Sequence, residues 1–211
     1  MYLITNRSLC DEDKYFESIK NSVYNGIENI IIREKDLNNE QLKNIYYKIK
    51  YSLKNINKKY NLIINSNVDV FEEVDADGIH LPFILFKKNL QNNYVFKDNK
   101  ILGISTHSIE EIEYLEELKK VNNLKIDYIT ISHIYETDCK KGMNPKGIDI
   151  LISAKKISSS NIVALGGITP KNSLNTLKYC DDIAIMSQIM KSDNVVETIK
   201  EYFKFQEKDV L

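Results

Sequence analysis

The chain has 211 residues, of which 43% are hydrophobic and 28% are charged, and its formal net charge is −1. This balance gives no support to a protein that binds nucleic acid or an anionic membrane surface. No stretch approaches the roughly 18–20 consecutive apolar residues of a membrane span, and the first residues lack a basic signal segment. The three cysteines are far apart, which argues against a disulfide framework or a structural zinc site. We therefore expect a cytoplasmic protein.

Short apolar runs alternate with segments of helical period along the whole chain. In chain order, strands are predicted over residues 2–5, 29–33, 62–65, 78–81, 101–105, 128–132, 162–165 and 183–186. Helical faces are predicted between them over residues 15–23, 42–56, a short segment from 69, 112–118, 148–157, a segment beginning at Thr169-Pro170, and 195–203. Residues 83–99 are expected to be irregular apart from a single helical turn.

About eight strand–helix units in one chain predict a single-domain α/β protein, a (β/α)8 TIM barrel that covers residues 1–211. A doubly wound open sheet is the competing fold. It is disfavoured because no G-x-G-x-x-G follows the first strand and because eight even repeats close naturally into a barrel.

In a TIM barrel the functional residues lie at the carboxyl ends of the strands. All three histidines of the chain, His80, His107 and His133, fall at or just after such ends. His80 reads most simply as a structural histidine, whereas His107 is open to either interpretation. Asn65 and Ser105 also end predicted strands, and with His107 they are candidate substrate-binding residues.

The segment Ile131–Gly142, with the sequence I-S-H-I-Y-E-T-D-C-K-K-G, concentrates reactive groups after the sixth strand. Histidine has the side-chain pKa closest to neutrality, so His133 is the candidate catalytic acid and base. Cys139 lacks a paired activating base in the sequence and is interpreted as a bystander.

Two further features suggest anion binding. Gly166-Gly167 follows the seventh strand and precedes a helix, and with Met186-Ser187 after the eighth strand it predicts a phosphate site. A plain tight turn without a ligand is the alternative interpretation. Arg33, Lys35 and Lys141 are candidates for a second anion, although a salt bridge between Arg33 or Lys35 and the intervening Glu34 is equally compatible with the sequence.

The loops after the third and fourth strands offer no carboxylates, because Ser66 follows Asn65 and the run after His80 is L-P-F-I-L. Magnesium prefers oxygen ligands of this kind. The sequence therefore predicts no metal site and no cofactor.

These residues resemble the thiamine phosphate synthase/TenI superfamily of small (β/α)8 barrels. The matching segments are Tyr2–Thr5, Ile32–Lys35, Ile64–Asn65, Gly78–Leu81, Gly103–Ser105, His107–Ser108, Ala164–Ile168 and Ile185–Ser187. Synthases of this superfamily carry magnesium-binding aspartates where this chain has Ser66 and Leu85. The loop that contains His133 instead resembles that of TenI, a thiazole tautomerase in which this histidine is the proposed acid–base residue.

The resemblance thus predicts an isomerase of thiamine biosynthesis, a thiazole tautomerase acting without metal on a carboxylated dihydrothiazole phosphate. Two alternatives remain: a magnesium-dependent thiamine phosphate synthase that couples a pyrimidine pyrophosphate with a thiazole phosphate, and a non-catalytic regulatory protein. The expected partner is a phosphorylated thiazole. A homo-oligomer is left open, because apolar residues between Pro82 and Asn99 could form a contact.

Overall fold

The structure, a computed structural model, describes residues 1–204 apart from the side chain of Cys139. Residues 205–211 of the predicted domain, and the thiol of Cys139 with its predicted bystander role, lie outside the described part. Eight parallel strands form a closed barrel in which each strand pairs with the next in sequence and β8 pairs with β1. The predicted TIM barrel is therefore confirmed.

The strands occupy the predicted positions to within one or two residues. They are β1 Tyr2–Ile4, β2 Asn29–Ile32, β3 Asn61–Asn65, β4 Gly78–Pro82, β5 Ile101–Thr106, β6 Tyr128–Ser132, β7 Asn161–Leu165 and β8 Asp182–Ile185. The α-helices of the described residues are α1 Glu12–Tyr24, α2 Asn39–Leu53, α3 Val68–Val74, α4 Phe83–Gln91, α5 Ile109–Asn122, α6 Asp149–Ile157, α7 Pro170–Leu177, α8 Ser187–Met190 and α9 Val195–Lys204. None of these helices has the length and apolar character needed to cross a membrane.

Helix α4 corrects the prediction of an irregular segment after β4. It begins directly after Pro82 and continues for nine residues. The sequence obscures it because four apolar residues stand in a row, yet only Phe86 is buried while Ile84 is 79% exposed. The short helix α8 was also not predicted, and it begins at Ser187, after the single residue Met186 that follows β8.

The core has two layers. A small cluster fills the barrel interior, where the rings of Tyr2 and Tyr128 lie 4.7 Å apart. Gly103 makes room for this filling, because a Cβ atom at that position would come within 2.1 Å of the Tyr128 ring. The larger cluster lies between the strands and the surrounding helices and contains most of the isoleucines of the strands.

The amino-terminal ends of the even strands carry a repeated carboxylate contact. Asp77, Asp127 and Asp181 are the residues immediately before β4, β6 and β8 respectively. Their side chains accept hydrogen bonds of 2.8–2.9 Å from backbone N–H groups of the preceding strand, at Leu62, Leu102 and Ile162 respectively. These carboxylates therefore tie neighbouring strands together at the end of the barrel opposite the predicted site.

Candidate active site

A cavity of about 780 Å³ lies at the carboxyl ends of the strands. It is lined by all but one of the predicted site residues, namely Arg33, Lys35, Asn65, Ser105, His107, His133, Gly166, Gly167, Met186 and Ser187. The exception is Lys141, which is 80% exposed and pairs with Asp138 at 3.4 Å. The chain thus brings predicted residues from six strand ends to one cavity of a size that suits small-molecule substrates.

The loop after β2 presents two cations because the acid between them points elsewhere. Glu34 is 7% exposed and accepts hydrogen bonds from the Thr5 hydroxyl at 2.5 Å and the Tyr15 hydroxyl at 2.9 Å. Its second oxygen accepts one from the backbone N–H of Arg7 at 2.9 Å. The alternative of a rim salt bridge within this loop is therefore wrong, since Glu34 is bonded to these inward-lying groups. Arg33 and Lys35 both line the cavity.

Two lysines that the sequence did not single out as ligands also line the cavity. Lys140 follows β6, and its ammonium group lies 3.5 Å from the Ser132 hydroxyl. Partial burial, with the nearby charge of Lys146, lowers the pKa of Lys140. Lys191 follows α8. Within residues 1–204, none of the four cations of the lining forms an ion pair with a protein carboxylate.

His133 lines the wall of the cavity, and its ring is held in place by a hydrogen bond to the following loop. Its side chain is 3% exposed, and Nε2 lies 3.2 Å from the backbone carbonyl of Met143. A carbonyl only accepts, so Nε2 carries the hydrogen and the neutral ring has its acceptor at Nδ1. Nδ1 is buried and has no hydrogen-bond partner among the described residues. The imidazole is thus held by the loop that follows it.

His80 is a structural histidine, as the simpler interpretation of the sequence predicts. It is fully enclosed inside the barrel, with Nδ1 3.1 Å from the Tyr128 hydroxyl and Nε2 2.6 Å from the Ser105 hydroxyl. Burial, together with the nearby charge of Arg33, lowers the pKa of His80 to about 3. The ring is therefore neutral at physiological pH and fixes the hydroxyl of Ser105.

His107 is exposed at the cavity mouth. Its Nδ1 lies 3.2 Å from the carbonyl oxygen of Ser132, to which it donates. This bond links the loops after β5 and β6 and leaves the other ring nitrogen outside any protein hydrogen bond of the described residues. His107 can therefore link the two loops through Nδ1 and contact a ligand through Nε2.

The glycine pair after β7 is required by close packing between loops. Gly166 and Gly167 have φ angles of 99° and 68°, which favour glycine. A Cβ atom would lie 2.4 Å from the His133 Cβ in the first case and 2.4 Å from the Glu136 carbonyl oxygen in the second. The pair thus allows the β6 and β7 loops to join, and Thr169 and Pro170 begin α7 as predicted. Its role as a phosphate site stays a prediction.

The described residues do not fit the magnesium site that the superfamily resemblance implies. No group of three or more histidine, cysteine, aspartate or glutamate side chains among them is placed to hold a metal ion. Ser66 lines the cavity and accepts a hydrogen bond from the Asn65 amide at 2.8 Å. Leu85, in α4, packs against the hydrophobic core. Neither position supplies a carboxylate ligand for magnesium.

Comparisons with known proteins decide the family. The family model described as thiamine monophosphate synthase matches residues 1–189. The chain belongs to this family. It is 30% identical over 200 residues to a thiamine-phosphate synthase of Persephonella marina, covering 93% of this chain and 90% of the relative. It is 31% identical over 212 residues to the thiamine-phosphate synthase of Clostridium tetani, covering 97% and 94%.

Solved structures agree with the sequence relatives. A thiamine phosphate pyrophosphorylase from Pyrococcus furiosus superposes with a TM-score of 0.76 at 25% identity, covering 98% of this chain and 95% of that one. The prediction of a tautomerase, and with it of an isomerase, is therefore wrong, because the relatives across nearly the whole chain are named as synthases. The prediction depended on His133, and the structure shows Nε2 of that ring bonded to Met143 and Nδ1 enclosed.

Proposed function

We propose that this protein is a thiamine-phosphate synthase, a transferase that couples a pyrimidine pyrophosphate with a thiazole phosphate and releases pyrophosphate. The observation that carries the proposal is the similarity to proteins named as synthases over more than nine-tenths of the chain. The alternative kept open by the sequence thus replaces the main prediction.

The cavity suits two phosphorylated substrates. Arg33 and Lys35 lie after β2, and Lys140 lies after β6, so cations stand on opposite sides of a ring of eight strands. Guanidinium and ammonium groups that lack a protein carboxylate bind phosphate oxygens by short, charge-assisted hydrogen bonds. As the pyrophosphate leaves, these groups stabilise the negative charge that develops on it.

The remaining polar lining would orient the rings and the thiazole phosphate. The backbone around Gly167 and Ser187 is proposed to receive the phosphate, as barrels often do after their last two strands. Ser105, held by His80, and Asn65 offer hydrogen-bonding groups to a heterocycle. No step of this proposal passes through a metal ion, because the residues present do not fit one.

The direct test is to incubate the purified protein with hydroxymethylpyrimidine pyrophosphate and thiazole phosphate. Thiamine phosphate and inorganic pyrophosphate are then measured in parallel, with magnesium and with EDTA. We expect both products in equal amounts from the wild-type protein. Lys140→Ala should lose most of the activity, and its neighbour Lys141→Ala should keep it. A folded wild-type protein that forms no product under either condition would contradict the proposal.

A further inference from the structure

The charge of the cavity lining is unusual for a site that would hold a divalent cation. Four cationic side chains line it, Arg33, Lys35, Lys140 and Lys191, against two acidic ones, Glu136 and Asp138, among the residues described. Asp138 is already paired with Lys141 outside the lining. The lining therefore carries an excess of positive charge, which repels a metal ion and attracts a polyanion.

The carboxylate that stands between two of these cations in sequence is held away from the cavity. Glu34, although it stands between Arg33 and Lys35, is fixed inward by Thr5 and Tyr15. At the two positions where the resemblance places metal-binding acids, this chain has the hydroxyl of Ser66 and the apolar side chain of Leu85. Neither position supplies a carboxylate to the cavity, because Ser66 lines it with a hydroxyl and Leu85 packs against the hydrophobic core.

We infer that this cavity binds pyrophosphate directly through Arg33, Lys35 and Lys140, without magnesium. The inference depends on the proposed function for the choice of pyrophosphate as the ligand. The two basic loops lie four strands apart in an eight-stranded barrel, so their long side chains approach a bound anion from opposite sides. Direct ion pairs of this kind replace the neutralising role of a divalent cation.

Isothermal titration calorimetry with inorganic pyrophosphate tests the inference on the full chain. We expect the dissociation constant in EDTA to agree within about threefold with that in excess magnesium. Lys140→Met should weaken binding in EDTA by about tenfold or more, since it removes a partly desolvated charge. Lys141→Met is the matched control and should stay within about twofold. Loss of wild-type binding in EDTA would overturn the inference.

A second variant places a carboxylate in the site. Ser66 has a φ angle of 66°, a conformation that aspartate adopts more readily than most residues, so Ser66→Asp suits the local backbone. We expect this variant to bind pyrophosphate more weakly than wild type in EDTA and to recover affinity when magnesium is added. Equal affinities of the variant and wild type in EDTA would count against the inference, since lining charge would then not control binding.

Turnover separates this inference from the proposed function. Thiamine phosphate formed only when magnesium is present would overturn the inference and retain the function. Pyrophosphate binding that EDTA does not affect, with no product from the two substrates, would support the inference and contradict the proposed function.

Discussion

The charged side chains at the two ends of this barrel differ in whether the protein itself supplies their partners. At the amino-terminal end, Asp77, Asp127 and Asp181 accept hydrogen bonds from backbone N–H groups of neighbouring strands. At the carboxyl end, the cations of the cavity lining have no protein carboxylate as a partner within residues 1–204. A charge that is satisfied inside the protein stabilises the fold, whereas an unpaired charge at a cavity is available to a ligand.

The contrast extends to individual side chains at the carboxyl end. Glu34 is satisfied by three donors and positions its loop, whereas Arg33 next to it faces the cavity. His80 is bonded at both nitrogens and supports Ser105. The division between supporting and binding groups thus runs through neighbouring residues, and substitutions at the two ends should separate stability from activity.

The largest effect is expected for Arg33→Ala. Removing this unpaired guanidinium should lower kcat/KM of the proposed coupling reaction by about 100-fold or more, because a charge that stabilises the leaving pyrophosphate is lost. The free energy of unfolding should change by less than about 0.5 kcal/mol. Steady-state kinetics and urea unfolding measure the two quantities. A kcat/KM value within threefold of wild type would contradict the hypothesis that the cations at the carboxyl ends of the strands bind the ligand.

The opposite result is expected for Asp127→Ala. The backbone N–H of Leu102 loses its carboxylate acceptor, which should cost about 1–3 kcal/mol of unfolding free energy. Affinity for pyrophosphate should stay unchanged, because this end of the barrel lies away from the cavity. Urea unfolding and calorimetry check both points, with exposed Asp98→Ala as a control that should alter neither. A weakened pyrophosphate affinity in Asp127→Ala would remove the distinction between the two ends.

The pH dependence of stability tests the buried support at His80. Its folded pKa of about 3 lies below the usual 6.5, so below pH 6.5 the unfolded chain binds a proton that the folded chain does not. The contribution of His80 to the free energy of unfolding is therefore fully present above pH 6.5 and is lost as the pH falls toward 3. The free energy of unfolding of wild type minus that of His80→Asn should decrease by about 1.4 kcal/mol for each unit that the pH falls from 6 to 4, because only wild type has the titrating ring. Parallel unfolding curves at each pH measure it, and a constant difference would show that His80 titrates normally.

The smallest effect is expected for Lys141→Ala. Its ion pair with Asp138 lies on the surface with both side chains at least 80% exposed, and such pairs contribute little to stability. Both kcat/KM and the unfolding free energy should remain close to wild type in the same assays. A loss of activity comparable to that of Lys140→Ala would show that Lys141 reaches the substrate after all.

Much of the fold was predictable because a parallel barrel repeats one simple pattern. Apolar runs such as Asn29–Ile32 are buried by helices on one face and by the barrel interior on the other, and this leaves a clear signal. Helix α4 escaped prediction because Ile84 is exposed within an apolar run. Lys191 was missed as a cavity residue because nothing in its local sequence separates it from other surface lysines. Lys140 lies in the loop that the sequence analysis singled out, but the sequence could not show that this lysine, and not its neighbour Lys141, lines the cavity.

The sequence alone predicted the barrel and ten of the residues that line its cavity, since these depend on local periodicity and on the fixed direction of parallel strands. Only the tertiary structure decided what each side chain faces. Glu34 turns away from its neighbours because its donors at Thr5 and Tyr15 come from other elements, and His133 is held by a carbonyl ten residues later in the chain. Such partners are set by three-dimensional packing, so a local motif could place His133 in the site but could not establish its chemistry.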